Sequence, residues 1–228
     1  MEQQEDRFTD PAYRAAVVDL LGTLAYGELS AFIRLSTDAD LAPRLSAKAD
    51  MAALAATEFG HYDRLRARIV EIGADPEQAM VPFVEALDAF HERTKPSTWL
   101  EGLVKFYVGD GIASDFYREI SAYVDDETRD LVLGTLEAGQ RMQFVLQEVR
   151  QAISEDPIQG SRLALWARRL VGEALSQGQR VAADRDSFST LLSGTDEHPG
   201  MGLVGIVSMF SRLTEQHTRR MAEMGLSA

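Results

Sequence analysis

The sequence predicts an all-α fold in which two antiparallel helical hairpins, joined by a long crossover, form a four-helix bundle, and two further helices follow. Apolar residues recur with a helical period along most of the 228 residues, and no segment shows the sustained alternation of a strand. Proline and glycine divide the chain into segments of helix length. The connections within each hairpin are short, whereas residues 74–96 separate the two hairpins.

The first hairpin comprises the first two predicted helices. Asp10 is a suitable N-cap and Pro11 a suitable first residue for a helix that runs to about residue 35. Pro43 opens the second helix, which continues to Ile72 and ends at Gly73, because glycine readily adopts the left-handed conformation found after helices. The short connection between the two helices makes them antiparallel neighbours.

The crossover and the second hairpin come next. Residues 74–96 contain three prolines, so we expect a crossover with one short amphipathic piece around residues 83–90, not a core helix. The third bundle helix is predicted over residues 98–124, a tight turn follows, and the fourth continues to about residue 154. Further helices are predicted at 157–185 and at 202–224.

The order of these connections defines the architecture. Two hairpins joined by one long crossover are the connectivity of ferritin-like four-helix bundles. We therefore interpret residues 1–228 as a single ferritin-like domain, with the core bundle at about 10–155 and the C-terminal helices at about 157–225.

Composition excludes several kinds of site. The chain has no cysteine, so disulfides, iron–sulfur clusters, thiolate-bound zinc and cysteine nucleophiles are excluded, and any metal must be bound by carboxylates and imidazoles. A net charge of −13 argues against a nucleic-acid partner. The acidic N-terminus is unlike a signal peptide, and no apolar run reaches the length of a membrane span, about 20 residues. We therefore expect a soluble, cytoplasmic protein with no membrane partner.

Three acidic residues and one histidine lie on helix faces that are otherwise apolar. Glu28 is central in the apolar stripe of the first helix, and Asp110 is central in that of the third. Glu58 holds the same place in the second helix, with His61 about 60° away. Acids are rarely buried unless they are paired or bind a metal, and Arg14 is the single basic residue on these stripes.

A divalent cation would compensate these acids. Glu58 and His61 are three residues apart, so both side chains can reach one ion. Carboxylates combined with imidazole favour iron or manganese. The alternative interpretation is a polar core with a purely structural role.

Short motifs carry a resemblance to a known family. The glutamate in YGELSAF, the pair in TEFGHYDRL and the segment KFYVGDGIASDFYREI resemble the ferritin-like carboxylate-bridged di-iron superfamily. Within it, the chain is similar to the MiaE-like group of tRNA-(2-methylthio-N6-isopentenyl-adenosine) hydroxylases. The resemblance covers roughly residues 10–155 and implies a di-iron centre, with manganese as the other metal considered. The metal ligands that it implies are Glu28 on the first helix, Glu58 and His61 on the second, Asp110 where the family usually has glutamate, and Glu137 and Gln140, in LEAGQRM, on the fourth.

The fourth helix departs from the family pattern, because Gln140 stands where a second histidine is expected. The helical wheel also leaves two interpretations of Glu137, which shares one side with charged residues and another with Leu133 and Phe144. Asp115 lies away from the apolar stripe of the third helix; we expect it at the surface, and it is the alternative ligand on that helix.

Three functions are consistent with the sequence. The first is an oxygen-activating di-iron hydroxylase or oxidase whose substrate is a small molecule or a modified base. The second is an iron-binding protein of the ferroxidase type. The third is a structural helical dimer with a degenerate metal site. We expect a homodimer, and we expect His91, His198 and His217 to be exposed to solvent.

Overall fold

The computed structural model describes residues 8–136, 141–185, 187, 191–192 and 201–227, and this part of the chain contains helices and no strand. The all-α prediction is thereby confirmed. The helices whose bounds are described are α1 (Pro11–Asp38), α2 (Leu45–Glu71), α3 (Pro76–Arg93), α4 (Trp99–Ile120), α5 (Asp126–Thr135), α6 (Arg141–Glu155), α7 (Pro157–Asp184) and α8 (Gly202–Glu223). Short 3-10 turns follow α1 at Ala39–Leu41 and α4 at Ser121–Tyr123.

Three of the helices begin with the dipeptide Asp-Pro. The carboxylates of Asp10, Asp75 and Asp156 accept hydrogen bonds from backbone N–H groups in the first turns of α1, α3 and α7. The proline that follows each aspartate has no N–H to leave unpaired. The sequence thus specifies these three helix starts locally, before any tertiary contact forms.

The crossover differs from the prediction, because it is a continuous helix of 18 residues with Pro82 inside it. Packing against α1 compensates for the hydrogen bond that Pro82 cannot donate, since Ala79 and Phe83 are buried in the same cluster as α1. The two backbones approach closely at Gly22, where an added Cβ would lie 2.6 Å from the carbonyl carbon of Ala79.

The predicted fourth helix also differs, because the described residues form two helices there. Helix α5 ends at Thr135, and the N–H of Leu136 donates to the carbonyl of Leu133 in a tightened last turn. Gly134 lowers helix stability at this point. Helix α6 begins at Arg141, and residues 137–140 lie outside the described part of the chain.

Helix α1 is long and apolar. Residues Pro11–Leu41 include a window of mean hydropathy 1.4, and 56% of that window is buried within the fold. Burial of this kind is expected of a core helix. Helix α1 packs against α2 and α3, while α7 packs on α3 and α4 and α8 packs on α4.

The interior contains two separate apolar clusters. One includes Leu24 of α1 and Leu65 of α2, and the other includes Leu35 and Leu54 of the same two helices. Along both helices a polar layer therefore lies between the clusters, and it contains the acidic residues singled out above.

Candidate metal centre

Three of the predicted ligands meet inside the bundle. One donor atom each from Glu28, Glu58 and His61 lies within 4.8 Å of the others. The Nδ1 of His61 is 3.4 Å from Oε2 of Glu28. Glu58 and His61 are 5% and 7% exposed. The layer thus brings two carboxylates and an imidazole together in a region of low dielectric constant.

The helical register explains why these residues meet. Glu58 and His61 are neighbours on the surface of α2, because residues three apart lie on one face of a helix. Helix α1 packs along α2 and supplies Glu28 from the opposite side. On both helices, the apolar residues one turn before and one turn after these three positions fix where the polar layer lies along the helix axes.

Burial shifts the ionisation of Glu28. Loss of solvent raises its pKa to about 7, and the nearby charge of Asp110 also raises it. A hydrogen bond with Glu58 and the charge of Arg64 oppose this shift. Glu28 therefore holds a proton close to neutral pH, which a bound cation would displace.

Asp110 of α4 lies beside the three residues, although it is outside the group of donor atoms within 4.8 Å. Burial of its carboxyl raises the pKa to about 7, and the charge of Glu58 adds to this effect. His61 and Arg220 lower the same pKa. Asp110 is therefore close enough to Glu58 and His61 for their charges to affect its ionisation.

Arg220 reaches this region from α8. Its guanidinium forms an ion pair with Asp115. The side chain of Asp115 is 16% exposed, so it is partly buried and not the exposed surface acid that was expected. Gly111 makes room for it, because an added Cβ would lie 2.5 Å from Cδ and 2.8 Å from Cζ of Arg220. Arg220 was not among the predicted site residues. The signal available was the pair of glycines that flank Asp110, Gly109 and Gly111, which are unfavourable inside a helix.

Aromatic side chains adjoin the polar layer. The ring centroids of Phe32 and Phe59 are 5.1 Å apart, and those of Phe59 and Tyr62 are 5.6 Å apart. Burial and the charge of Glu28 raise the pKa of Tyr117 above its ordinary value, so this phenol stays protonated near the carboxylate. Phe59 is 44% exposed, so this row of rings extends to the surface of the bundle.

The sequence also predicted positions for two further ligands and for three other histidines. Glu137, Gln140 and His198 lie outside the described residues. The prediction of solvent exposure is wrong for His217, which is 9% exposed because it lies on the packed side of α8. It is also wrong for His91, whose Nδ1 is buried.

The chemistry of the donor set fits a transition-metal ion. Carboxylate oxygens and imidazole nitrogen are ligands that iron and manganese accept. A cation would also offset the cost of burying two acids that lie within a few ångströms of each other. Among the described residues, this is the cluster with the donor types and spacing to hold a metal.

These features define a ferritin-like helical bundle with a candidate carboxylate–histidine metal site. The chain belongs to the family described as ferritin-like domain, actinomycetes, whose profile matches residues 11–195. It is also similar to a solved structure, protein 19 with aldehyde deformylating oxidase activity from Synechococcus, with a TM-score of 0.73 and 17% sequence identity. The match covers 97% of this chain and 94% of that one, and at this identity it shows a shared fold. No curated protein matches the chain.

Proposed function

We propose that the protein is an oxygen-activating oxidase or hydroxylase with a di-iron centre in the polar layer. The convergence of Glu28, Glu58 and His61 within 4.8 Å carries this proposal. A bound cation would offset the cost of placing two carboxylates together in the interior. Manganese is the alternative metal, because it accepts the same ligands.

Each residue has a distinct part in this proposal. Glu58 and His61 would hold metal from adjacent turns of α2, and Glu28 would hold it from α1. Asp110 is the proposed ligand from α4. Iron would supply the electron-transfer chemistry needed to activate oxygen, while the surrounding apolar side chains exclude water.

Aldehydes are the first substrate class to test. The similar structure from Synechococcus has aldehyde deformylating oxidase activity by name, and this name supports testing the same class here. The resemblance to the MiaE-like group supports a second class, modified adenine bases. The net charge of −13 disfavours a whole tRNA as substrate.

Metal analysis tests the centre itself. Protein purified without chelator should contain about two iron or manganese ions per chain, and Glu58→Gln and His61→Ala should lose most of this metal. Glu85→Gln is the matched control, because Glu85 is an exposed helical glutamate. Metal content at background in the unaltered protein, even after anaerobic loading with ferrous iron, would contradict the proposal and support the structural alternative.

Oxygen consumption separates an enzyme from an iron-handling protein. With ferrous iron, a chemical electron donor and aldehydes of increasing chain length, we expect oxygen uptake coupled to one organic product. The metal-depleted variants should lack this coupled uptake. Oxidation of ferrous iron alone, with no product from aldehydes or from modified adenosines, would instead indicate the ferroxidase-type function.

A further inference from the structure

Helix α8 packs against the stretch of α4 that carries Asp110, and polar side chains fix the register between the two helices. Polar contacts join them within the described residues: Arg212 with Glu119 at 2.6 Å, Arg220 with Asp115, and Glu223 with Tyr107 at 2.6 Å. Residue numbers fall along α4 as they rise along α8, so the two helices are antiparallel. This register places Arg220 at the turn of α4 that contains Asp110.

The guanidinium of Arg220 lies directly against the backbone of α4. An added Cβ at Gly111, the residue after Asp110, would lie 2.8 Å from Cζ of Arg220. The side chain of Arg220 is 13% exposed, and its Nη1 is buried with no hydrogen-bond partner in the described part of the chain. A guanidinium keeps its charge even where it is buried. The turn that carries Asp110 therefore has a fixed positive charge beside it.

Asp110 and Arg220 affect each other's ionisation. Burial raises the pKa of Asp110, and the charge of Arg220 opposes this. Burial lowers the pKa of Arg220, and the charge of Asp110 is among those that oppose this effect. The charges of Glu58 and His61 also act on Asp110, so the guanidinium and the candidate ligands share one electrostatic environment. An uncompensated guanidinium at this position would repel a divalent cation in the polar layer.

Asp115 compensates the guanidinium. Its side chain is 16% exposed, so solvent and salt screen its ion pair with Arg220 less than they screen a surface pair. The other cation near this carboxylate is Arg118, at 3.7 Å, with 59% of its side chain exposed. Solvent weakens that second contact. A metal ion in the polar layer therefore meets Arg220 and Asp115 as a neutral unit.

We infer that Arg220 and Asp115 form a charge-balanced pair that sets the affinity of the centre for its metal ion. Neither residue is a metal ligand in this role: Arg220 is a positioning residue that acts through the electrostatic potential at Asp110, and Asp115 cancels its charge. This role rests on the proposed function, because it requires a metal ion in the polar layer. It also makes α8 part of the centre, although α8 supplies no ligand.

Two substitutions that break this one ion pair should change the metal affinity in opposite directions. Arg220→Met removes the positive charge and should tighten the binding of Mn²⁺ by about three- to tenfold. Asp115→Asn leaves the guanidinium uncompensated and should weaken the binding by a similar factor. If the pair served only to dock α8, both variants would shift the affinity in the same direction. Calorimetric titration of the full-length, metal-free protein with Mn²⁺ at fixed ionic strength measures each affinity.

The other ion pair between α8 and α4 provides the matched controls. Arg212→Met and Glu119→Gln break that pair, in which 49% of the arginine side chain is exposed. Each should change the affinity by no more than about twofold, because solvent screens the pair.

Further variants separate charge from packing. The double variant Arg220→Met/Asp115→Asn is again charge-balanced and should bind Mn²⁺ within about twofold of the unaltered protein. Arg220→Lys retains the charge and should keep the affinity even where the melting temperature falls. Arg220→Gln removes the charge but keeps a polar head group, so it replaces Arg220→Met if that variant does not fold.

The outcomes distinguish this role from the proposed function. Affinities that move in the same direction in Arg220→Met and Asp115→Asn, or that do not move at all, would overturn the charge-balanced pair and leave the metal centre intact. A double variant that binds Mn²⁺ as weakly as Asp115→Asn would do the same. No binding of Mn²⁺ or ferrous iron by the unaltered protein would refute the metal centre, and this role of Arg220 with it.

Discussion

The clearest energetic signature of the polar layer should be the cost of ionising Glu28 in the metal-free protein. Its side chain is 14% exposed, and the folded protein holds its proton to a higher pH than the unfolded chain does. Glu28→Gln keeps the size of the side chain and removes the ionisation. The variant should therefore gain stability relative to the unaltered protein as the pH rises.

The magnitude follows from the shift in pKa. An increase from 4.5 to about 7 corresponds to about 3 kcal/mol of folding free energy. The unfolded state loses this proton first, so the stability of the metal-free protein falls as the pH rises from about 4.5 to about 7 and levels off above that. Below this range the proton is bound in both states and the cost is absent.

Urea unfolding at about pH 5 and about pH 8 measures the difference. Comparing the variant with the unaltered protein at both values cancels any effect of the amide that does not depend on pH. The difference should change by up to about 3 kcal/mol in favour of Glu28→Gln, whereas the exposed control Glu85→Gln should show little change. Parallel pH profiles for Glu28→Gln and the unaltered protein would refute the assignment of a costly buried acid.

Three further predictions concern packing and buried charge. Gly22→Ala should destabilise the protein by about 1–3 kcal/mol in urea unfolding, because its methyl group would overlap the carbonyl of Ala79 in α3. Gly172→Ala is the control: it has open space around it and should stabilise the protein by up to about 1 kcal/mol. Gly111→Ala should lower the melting temperature by displacing the guanidinium that α8 places there, whereas Gly109→Ala should not. Arg68 pairs at 3.2 Å with Asp125, the N-cap of α5, which is 1% exposed; Arg68→Met should therefore cost about 3–5 kcal/mol in urea unfolding, because it leaves this buried carboxylate without its cation.

Much of the polar layer could be predicted from the sequence. Glu28 and Glu58 stand out because each interrupts an apolar stripe of an otherwise regular helix, and the spacing of Glu58 and His61 places both on one face. Periodicity carries this information because the helices are long and their register is fixed by many apolar residues. The ligand roles of these residues, and that of Asp110, stay predictions until metal is measured.

Features that depend on tertiary contacts were not predictable in the same way. Helix α3 continues through Pro82 because buried neighbours compensate for a local defect, which no local rule anticipates. The end of α5 at Thr135 interrupts a stretch with a continuous helical period. The position of Arg220 depends on how α8 docks against α4, and a single sequence gives no register for helices so far apart in the chain.

The division of the interior into two apolar clusters has a consequence for cooperativity. The polar layer separates the two clusters, and beside it the ring of Phe59 contacts both Phe32, which packs on one cluster, and Tyr62, which packs on the other. Helices α1 and α2 run through both halves, so the coupling between them depends on the groups at the layer itself. A metal ion bound by Glu28, Glu58 and His61 would thus couple the unfolding of the two halves of the bundle. Without it, we expect one half to unfold locally while the other stays folded.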